Sequence, residues 1–91
     1  MNDSFEWDPE KAEANAAKHG ITFGEAETVF ADPLLTTVWD GVHSLGEDRF
    51  TVIGLSERFR LLVVVYTYRG DRIRIISARR ATRREAKTYE G

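Results

Sequence analysis

The sequence predicts an α+β fold in which two N-terminal helices pack on a mostly antiparallel meander sheet, followed by a short C-terminal helix. Two observations lead to this prediction. Residues 8–31 are rich in alanine and in helix-capping signals, whereas the hydrophobic pattern from residue 34 onward repeats every two residues. Of the 91 residues 42% are hydrophobic, so residues 1–91 are expected to form one domain around one core.

The helices are marked by the residues that begin and end them. Asp8 is suited to the N-cap of the first helix, Pro9 to its first turn, and Gly20 to the position after its last residue. The capping pattern Thr-x-x-Glu begins at Thr22 and again at Thr82. The three helices are therefore predicted at 9–19, 22–30 and 82–89.

The strands follow from the two-residue alternation. They are predicted at 5–7, 34–39, 49–56, 61–68 and 73–78. The segment 61–68 is the most hydrophobic of the five, so it is expected at the centre of the sheet with both faces covered.

Composition excludes several kinds of chemistry. The chain has no cysteine, which rules out disulfides, thiolate metal sites and cysteine nucleophiles. The two histidines, His19 and His43, show no metal-ligand spacing, so neither a metal nor any other cofactor is predicted. The longest apolar run, 61–65, is too short to span a bilayer and the N-terminus is acidic and polar. A cytoplasmic protein without membrane attachment is therefore predicted.

The net charge of −2 conceals a strong charge asymmetry along the chain. Residues 1–48 hold eleven acidic and two basic residues, a balance of −9, whereas residues 49–91 hold four acidic and eleven basic residues, a balance of +7. A surface formed by the second half would attract phosphate backbones in spite of the overall charge. The alternative is that the two halves neutralise each other across the fold.

The last strand carries most of a candidate phosphate-binding surface. Its alternation places Arg72, Arg74 and Arg80 on one face and Arg79 on the other. Like charges on one face repel unless anions lie opposite them, and a guanidinium group binds phosphate through two oxygens at once. The alternative is that carboxylates of the chain itself pair with these arginines. The candidates for such pairs are Glu47, Asp48 and Glu57.

Aromatic and basic residues on the neighbouring strands extend this surface. Tyr66, Tyr68 and Arg69 lie in or directly after the central strand, and Arg49 begins the strand before it. Aromatic rings beside arginines can stack unpaired bases while the cations hold the phosphates. For both tyrosines the alternative is packing within the sheet with the hydroxyl group in water, and this alternative is favoured for Tyr68.

Two residues in or beside the polar loop 40–46, His43 and Glu47, are candidates for proton transfer. Cleavage of RNA by its own 2′-OH needs a base, an acid and cations that stabilise the phosphorane, for which Arg74 and Arg79 are available. The alternative for His43 is a hydrogen-bonded or solvated loop residue. His19 is expected only to satisfy carbonyl groups and the dipole at the end of the first helix.

A series of stretches between Phe5 and Glu90 occurs in a specific order and spacing. These are 5–11 (FEWDPEK), Asn15, 18–21 (KHGI), Phe23, 25–26, 29–30, 32–33, Asp40, 43–44, 47–49, 53–54, 66–67, 69–70, 74–79 (RIISAR), Ala81, Glu85 and Tyr89. Together they resemble the BrnT family of toxins from type II toxin–antitoxin systems, and the resemblance covers nearly the whole chain.

The resemblance implies a RelE-like fold and an RNA-cleaving activity that inhibits translation. It also implies a partner, a BrnA-like ribbon-helix-helix antitoxin that neutralises the toxin in a hetero-oligomer and represses the operon by binding DNA as the complex. Active residues of such toxins are mostly basic and aromatic residues of the sheet. The candidates from the residue pattern and those implied by the resemblance give two sets. The predicted catalytic residues are Glu47, Arg49, Arg74 and Arg79, and the predicted substrate-binding residues are Lys18, His43, Tyr66, Arg69 and Arg80.

Two other functions stay open on the sequence alone. A non-catalytic RNA-binding module would use the same basic surface and leave no new RNA termini. A protein-interaction module would dock an acidic partner on that surface.

Overall fold

The computed structural model describes residues 4–38 and 48–90, so His43 and Glu47 lie outside the described residues. A five-stranded sheet and three α-helices make up the fold. In chain order the elements are β1 (Phe5–Glu6), α1 (Pro9–His19), α2 (Phe23–Thr28), a 3-10 turn (Val29–Ala31), β2 (Thr36–Val38), β3 (Phe50–Leu55), β4 (Leu61–Arg69), β5 (Arg72–Arg80) and α3 (Arg83–Glu90). The predicted α+β class and order of elements are confirmed.

The strands lie in the order β1-β5-β4-β3-β2. Strands β2 to β5 form an antiparallel meander, and β1 adds to the outer edge as a parallel partner of β5. The prediction that the most hydrophobic strand is central is confirmed, and Leu62, Val63 and Val64 of β4 are all buried. Helices α1 and α2 lie against β5, whereas α3 lies against β3.

The main core lies between α1, α2 and one face of the sheet, which we call the core face. Its buried hydrophobic residues are Ile21, Phe23, Ala26, Val29, Val52, Leu62, Val64, Tyr66, Ile75 and Ala78. Aromatic side chains attach β1 to this core: Phe5 meets Phe30 with ring centroids 5.2 Å apart, and Trp7 meets Phe23 at 6.0 Å. A strand of two residues is thereby held by packing as well as by its pairing with β5.

The first helix begins and ends as its capping residues predict. The Asp8 carboxylate accepts a hydrogen bond from the Glu10 N–H at 2.9 Å, and Pro9 occupies the first turn. Gly20 ends the helix in the left-handed conformation, with φ at 72°. Within residues 4–38 and 48–90, no helix has the length and hydrophobicity needed to cross a bilayer.

The second helix is shorter than predicted. Thr22 caps it, accepting the Glu25 N–H at 3.0 Å, but the α-helix ends at Thr28 and the chain tightens into a 3-10 turn. The Thr28 hydroxyl donates to the Glu25 carbonyl at 2.6 Å and so competes for an acceptor of the helical ladder. Such a tightening is common at helix ends, and Pro33 prevents the helix from continuing beyond it.

The Glu25 side chain connects α2 to the turn between β3 and β4. It accepts hydrogen bonds from the Ser56 hydroxyl at 2.7 Å and from the Arg60 Nε at 2.9 Å, and it forms an ion pair with the Arg60 guanidinium. Hydrogen bonds from Arg60 hold the pKa of this buried carboxyl below its ordinary value. A buried carboxylate is therefore satisfied, as burial of a charge requires.

A β-bulge divides β5. Val65 pairs with Ser77, but the next residue, Tyr66, pairs with Ile75, so Ile76 has no partner in β4. The hydrophobic pattern explains the bulge: Ile75 and Ala78 both enter the core although they are three residues apart. A regular strand places residues at odd spacing on opposite faces, and one extra residue removes the conflict.

The bulge overturns the predicted distribution of the β5 arginines. Cross-strand pairing places Arg72 with Arg69, Arg74 with Thr67, and Arg79 with Val63, all on the face opposite the core face. Arg80 pairs with Leu62, a core residue, and therefore belongs to the core face. The prediction that Arg80 shares a face with Arg72 and Arg74 is wrong, because it assumed an uninterrupted alternation.

The Asn15 side chain closes the free edge of β5. Its amide donates to the Ala78 carbonyl at 2.8 Å and accepts from the Ala78 N–H at 3.1 Å, and it also donates to the Ile21 carbonyl at 3.0 Å. The amide thus takes the place of a neighbouring strand at one residue of the ladder. Since Asn15 is buried, these bonds also satisfy polar groups that water does not reach.

The third helix has no fully buried residue, and polar contacts hold both of its ends. The predicted capping box is complete: Thr82 N–H donates to Glu85 Oε1 at 2.9 Å, and Glu85 N–H donates to Thr82 Oγ1 at 3.2 Å. Arg79 donates two hydrogen bonds of 2.8 Å to the same carboxylate, and these lower the pKa of Glu85 to about 2. At the other end, the Tyr89 hydroxyl donates to Asp32 at 2.6 Å.

Replacing Gly54→Ala should destabilise the protein, because the new methyl group has no space. Its carbon would lie 2.8 Å from Leu35 Cδ1 and 3.0 Å from Val29 Cβ, and the Val29 backbone cannot easily move. We expect the free energy of unfolding, measured by urea denaturation, to fall by about 1–3 kcal/mol. The control is Gly24→Ala, where the nearest atom lies 3.9 Å away and helix propensity favours alanine. Equal or higher stability of Gly54→Ala would contradict the packing described for β3.

The ion pair between Arg79 and Glu85 should make stability depend on pH. Because the folded pKa of Glu85, about 2, lies below the ordinary value of 4.5, the pair stabilises the fold above pH 4.5 and loses this contribution as the pH falls toward 2. We expect the difference in unfolding free energy between wild type and Glu85→Gln to be largest near neutral pH and to shrink between pH 4.5 and 2. The control Glu90→Gln removes a carboxylate from the same helix and leaves the ion pair of Arg79 and Glu85 in place. A difference independent of pH would mean that Glu85 acts only as a capping residue.

Candidate functional site

Four arginines share the face of the sheet that points away from α1 and α2. Arg69 and Arg72 pair with each other beside the β4–β5 turn, and Arg74 and Arg79 follow along β5. We call this surface the arginine face. A regular alternation along β5 would place Arg79 on the face opposite Arg72 and Arg74. The bulge at Ile76 brings all three onto the same face.

Two of these arginines are held by carboxylates. Arg74 Nη1 donates to Glu6 Oε2 at 2.7 Å, and Glu6 is its register partner in β1. Arg79 is held by both oxygens of Glu85. The partners differ from those predicted among Glu47, Asp48 and Glu57, because the position of β1 beside β5 and of α3 beside Arg79 follows from the tertiary fold.

Both ion pairs lie at the surface. The Arg79 side chain is 42% exposed, and those of Arg74 and Glu6 are each 27% exposed. Exposed ion pairs contribute only about 0–1 kcal/mol unless they are bidentate, so an incoming phosphate exchanges more readily with Glu6 than with Glu85, whose two hydrogen bonds to Arg79 lower its pKa to about 2. The carboxylates orient the guanidinium groups. Because both arginine side chains are partly exposed, a phosphate can reach them and replace the carboxylate.

Distance along β5 divides the arginine face into two parts. Arg79 lies five positions after Arg74, which corresponds to roughly 15 Å of strand. Arg69 and Arg72 lie with Arg74 near the β4–β5 turn, and Arg49, which is exposed just before β3, lies at the same end of the sheet. The predicted residues therefore line an extended surface and do not converge on one atom.

The two tyrosines of β4 lie on the same face of the sheet but differ in burial. Tyr66 is only 8% exposed, and its ring packs between Phe50 at 5.5 Å and Phe30 at 5.1 Å. Burial and the neighbouring Tyr68 raise the pKa of Tyr66 to about 12. Tyr68 is 56% exposed, and its ring packs edge-on against Phe50 at 5.4 Å and Tyr66 at 5.7 Å, which agrees with the half-buried sheet packing that the sequence favours for it. A direct contact of Tyr66 with a substrate stays a prediction.

The remaining predicted residues lie away from the arginine face or at its edge. Arg80 is exposed on the core face, and Lys18 is exposed in the last turn of α1. Lys18 lines a groove between α1 and β5 together with Lys11, His19 and Ser77. Across the described part of the chain, no three histidine, aspartate or glutamate side chains come together as metal ligands.

Glu6 and Glu85 are the residues of this surface that sequence reasoning missed. The capping pattern at Thr82 identified Glu85 only as a residue of the helix start. Glu85 is six positions after Arg79 in the chain, and this spacing does not correspond to a regular pairing within a helix or a strand, so the sequence did not predict the ion pair. Glu6 is 68 residues from Arg74 in the chain. Only the parallel pairing of β1 with β5 brings them together.

Comparison with known proteins agrees with this architecture. The family described as ribonuclease toxin, BrnT, of type II toxin–antitoxin system matches residues 7–85. Among solved structures, the ribonuclease toxin BrnT of Brucella abortus is similar in fold, with a TM-score of 0.64 and 24% sequence identity over 85% of this chain and 94% of that one. A search of curated protein sequences gave no match. The family match spans α1, α2, strands β2 to β5 and the first residues of α3, and the chain therefore belongs to the BrnT family of ribonuclease toxins of type II toxin–antitoxin systems.

Proposed function

We propose that this ribonuclease toxin cleaves RNA without a metal ion, by attack of a ribose 2′-OH on the adjacent phosphate, and that the cleavage inhibits translation. The observation that supports the proposal is the position of Arg74 and Arg79 on one face of the sheet, each partly exposed and each oriented by a carboxylate. A fixed guanidinium group can stabilise the charge that develops on a phosphorane, and the second one, roughly 15 Å further along β5, would hold a neighbouring phosphate of the same RNA. The cytoplasm, where RNA is translated, is the location that this function requires.

Exchange of carboxylate for phosphate is the central step of substrate binding in this proposal. The two oxygens of Glu85 occupy the donors of Arg79 in the geometry that two phosphate oxygens would take. Glu6 does the same for one donor of Arg74. RNA binding then replaces two surface ion pairs by contacts of the same kind.

The other predicted residues have supporting roles. Arg49 and Arg69 would hold phosphates near the β4–β5 turn. Tyr68 is exposed, but it stands with Tyr66 on the core face and is therefore not part of this surface. Glu47 and His43 remain our candidates for proton transfer between the 2′-OH and the leaving oxygen. We leave Arg80 out of this set, since its side of the sheet is the core face.

The proposed partner is a BrnA-like ribbon-helix-helix antitoxin, which forms a hetero-oligomer with the toxin and binds DNA as the complex. Membership of a type II toxin–antitoxin family supports a protein antitoxin. An acidic segment of that partner would find its strongest electrostatic attraction at the arginine face.

Replacing Arg74→Ala or Arg79→Ala should reduce RNA cleavage by about 10²-fold or more, as expected for the loss of one oriented donor to a developing anion. Cleavage of a labelled RNA is measured under single-turnover conditions. The matched control is Arg58→Ala, an exposed arginine of the β3–β4 turn that lies outside the arginine face. Its cleavage rate should stay near that of wild type.

A second comparison separates a catalytic Arg79 from a structural one. Glu85→Gln removes the same ion pair but leaves the guanidinium group in place. If Arg79 contacts phosphate, Glu85→Gln keeps most of the activity that Arg79→Ala loses. If both variants lose activity to the same extent, Arg79 serves only to hold α3, and its catalytic assignment is wrong.

Cleavage should persist in excess chelator and leave 2′,3′-cyclic or 3′-phosphate ends, because attack by the 2′-OH forms these products. Cleavage of a labelled RNA with and without chelator tests the metal requirement, and mass spectrometry of the fragments identifies their ends. Activity that chelator abolishes and Mg²⁺ restores would contradict the proposed mechanism. Salt-sensitive RNA binding without new termini would instead favour the non-catalytic RNA-binding module.

A further inference from the structure

A groove of about 240 Å³ runs between α1 and the edge of β5 at the bulge. Its polar lining is cationic and hydroxylic, with Lys11, Lys18 and His19 on the helix and Ser77 on the strand. Ile76, the unpaired residue of the bulge, forms part of the strand side. The groove lies outside the two arginine–carboxylate pairs of the arginine face.

Charge is segregated around α1. Lys11, Asn15 and Lys18 are spaced at i, i+4 and i+7 and form one stripe of the helix, which faces the groove. Glu10 and Glu13 line a different surface of the same helix. Lys11 and Lys18 are moreover the only lysine or arginine residues among residues 1–48, in which eleven residues are acidic. The two basic residues of the acidic segment 1–48, Lys11 and Lys18, therefore line the same groove.

Neither lysine is explained by a structural interaction. Within residues 4–38 and 48–90, no ion pair or side-chain hydrogen bond involves Lys11 or Lys18. The helix dipole accounts for Lys18 and His19 in the last turn of α1. It does not account for Lys11, which lies in the first turn, where the dipole disfavours a cation.

The groove adjoins the arginine face through Ser77. This residue pairs with Val65, so its side chain lies on the same face as Arg74 and Arg79 and between them along β5. Each arginine is within about 10 Å of strand length from Ser77. A chain of phosphates bound along the arginine face therefore reaches the mouth of the groove without leaving a positive surface.

We propose that the groove is a phosphate-binding subsite for the RNA backbone, in which Lys11, Lys18 and the Ser77 hydroxyl bind a phosphate that neighbours those on the arginine face. The inference rests on the proposed function for the identity of the ligand as RNA. RNA is the occupant we propose because its phosphates repeat along the backbone, so that one strand can occupy the arginine face and the groove at the same time. The chemistry is that of a phosphate bound by two ammonium groups and a hydroxyl donor.

The test measures binding of a short single-stranded 2′-O-methyl RNA, which cannot undergo 2′-OH attack, at several salt concentrations. The double variant Lys11→Gln/Lys18→Gln is compared with Lys87→Gln, an exposed lysine of α3 outside the groove. We expect the double variant to bind more weakly and the slope of log K against log salt to decrease by roughly 0.7 for each lost phosphate contact. Both lysines are exposed, and thermal melting checks that the double variant keeps its stability.

The possible results are distinct. If the double variant matches Lys87→Gln in affinity and salt slope, the subsite does not exist. If it loses affinity for the purified antitoxin but not for the RNA, the groove is a protein-docking surface and the inference is wrong. If the lysines contribute to RNA binding but wild type produces no new RNA termini, the subsite is supported while the proposed cleavage fails. If wild type cleaves RNA and only the arginine variants affect binding, the proposed function stands without the groove.

Discussion

The arrangement of this protein depends on one constraint, the requirement that Ile75 and Ala78 both enter the core from the same strand. Two residues three positions apart in a regular strand point to opposite faces. The chain meets the requirement with one extra residue, Ile76, which has no partner in β4. A packing demand on the core face thereby determines what appears on the other face, since Arg79 joins Arg72 and Arg74 there while Arg80 turns away.

The same bulge shapes the outer edge of β5. Strand β1 covers only Ile73 and Arg74 of that edge, and the Asn15 amide takes over at Ala78. The bulge lies between these two attachments. An unpaired strand edge attracts other strands, and here a short strand, a helix and a side-chain amide cover it. Loss of the Asn15 amide would leave buried backbone groups unsatisfied, at about 1–3 kcal/mol for each group.

Local signals in the sequence predicted local structure well. Asp8, Gly20, Thr22 and Thr82 mark helix ends because their capping interactions join residues a few positions apart. The central position of β4 could be predicted in the same way, because continuous hydrophobicity reflects burial on both faces. These features need no knowledge of the tertiary fold.

Features that depend on tertiary contacts could not be predicted. The bulge results from competition between the alternation of β5 and the needs of the core, and the pairs of Arg74 with Glu6 and Arg79 with Glu85 depend on where β1 and α3 lie. Tyr66 and Tyr68 stand on the same face of the same strand, yet only Tyr66 lies beneath Phe30. The sequence therefore identified the candidate arginines of the site without their grouping, and it gave no sign that Tyr66 is the more deeply buried of the two tyrosines.

The central claim is that the bulge presents Arg74 and Arg79 together to RNA and withholds Arg80. The side-chain Nε–Hε signals of arginines in the NMR spectrum report this directly, when the protein is titrated with a short 2′-O-methyl RNA. The account predicts that the Arg74 and Arg79 signals shift together, at the same RNA concentrations, while the Arg80 signal stays in place. Shifts of Arg74 and Arg80 with an unchanged Arg79 would mean that the regular alternation, and not the bulge, describes the RNA-binding surface.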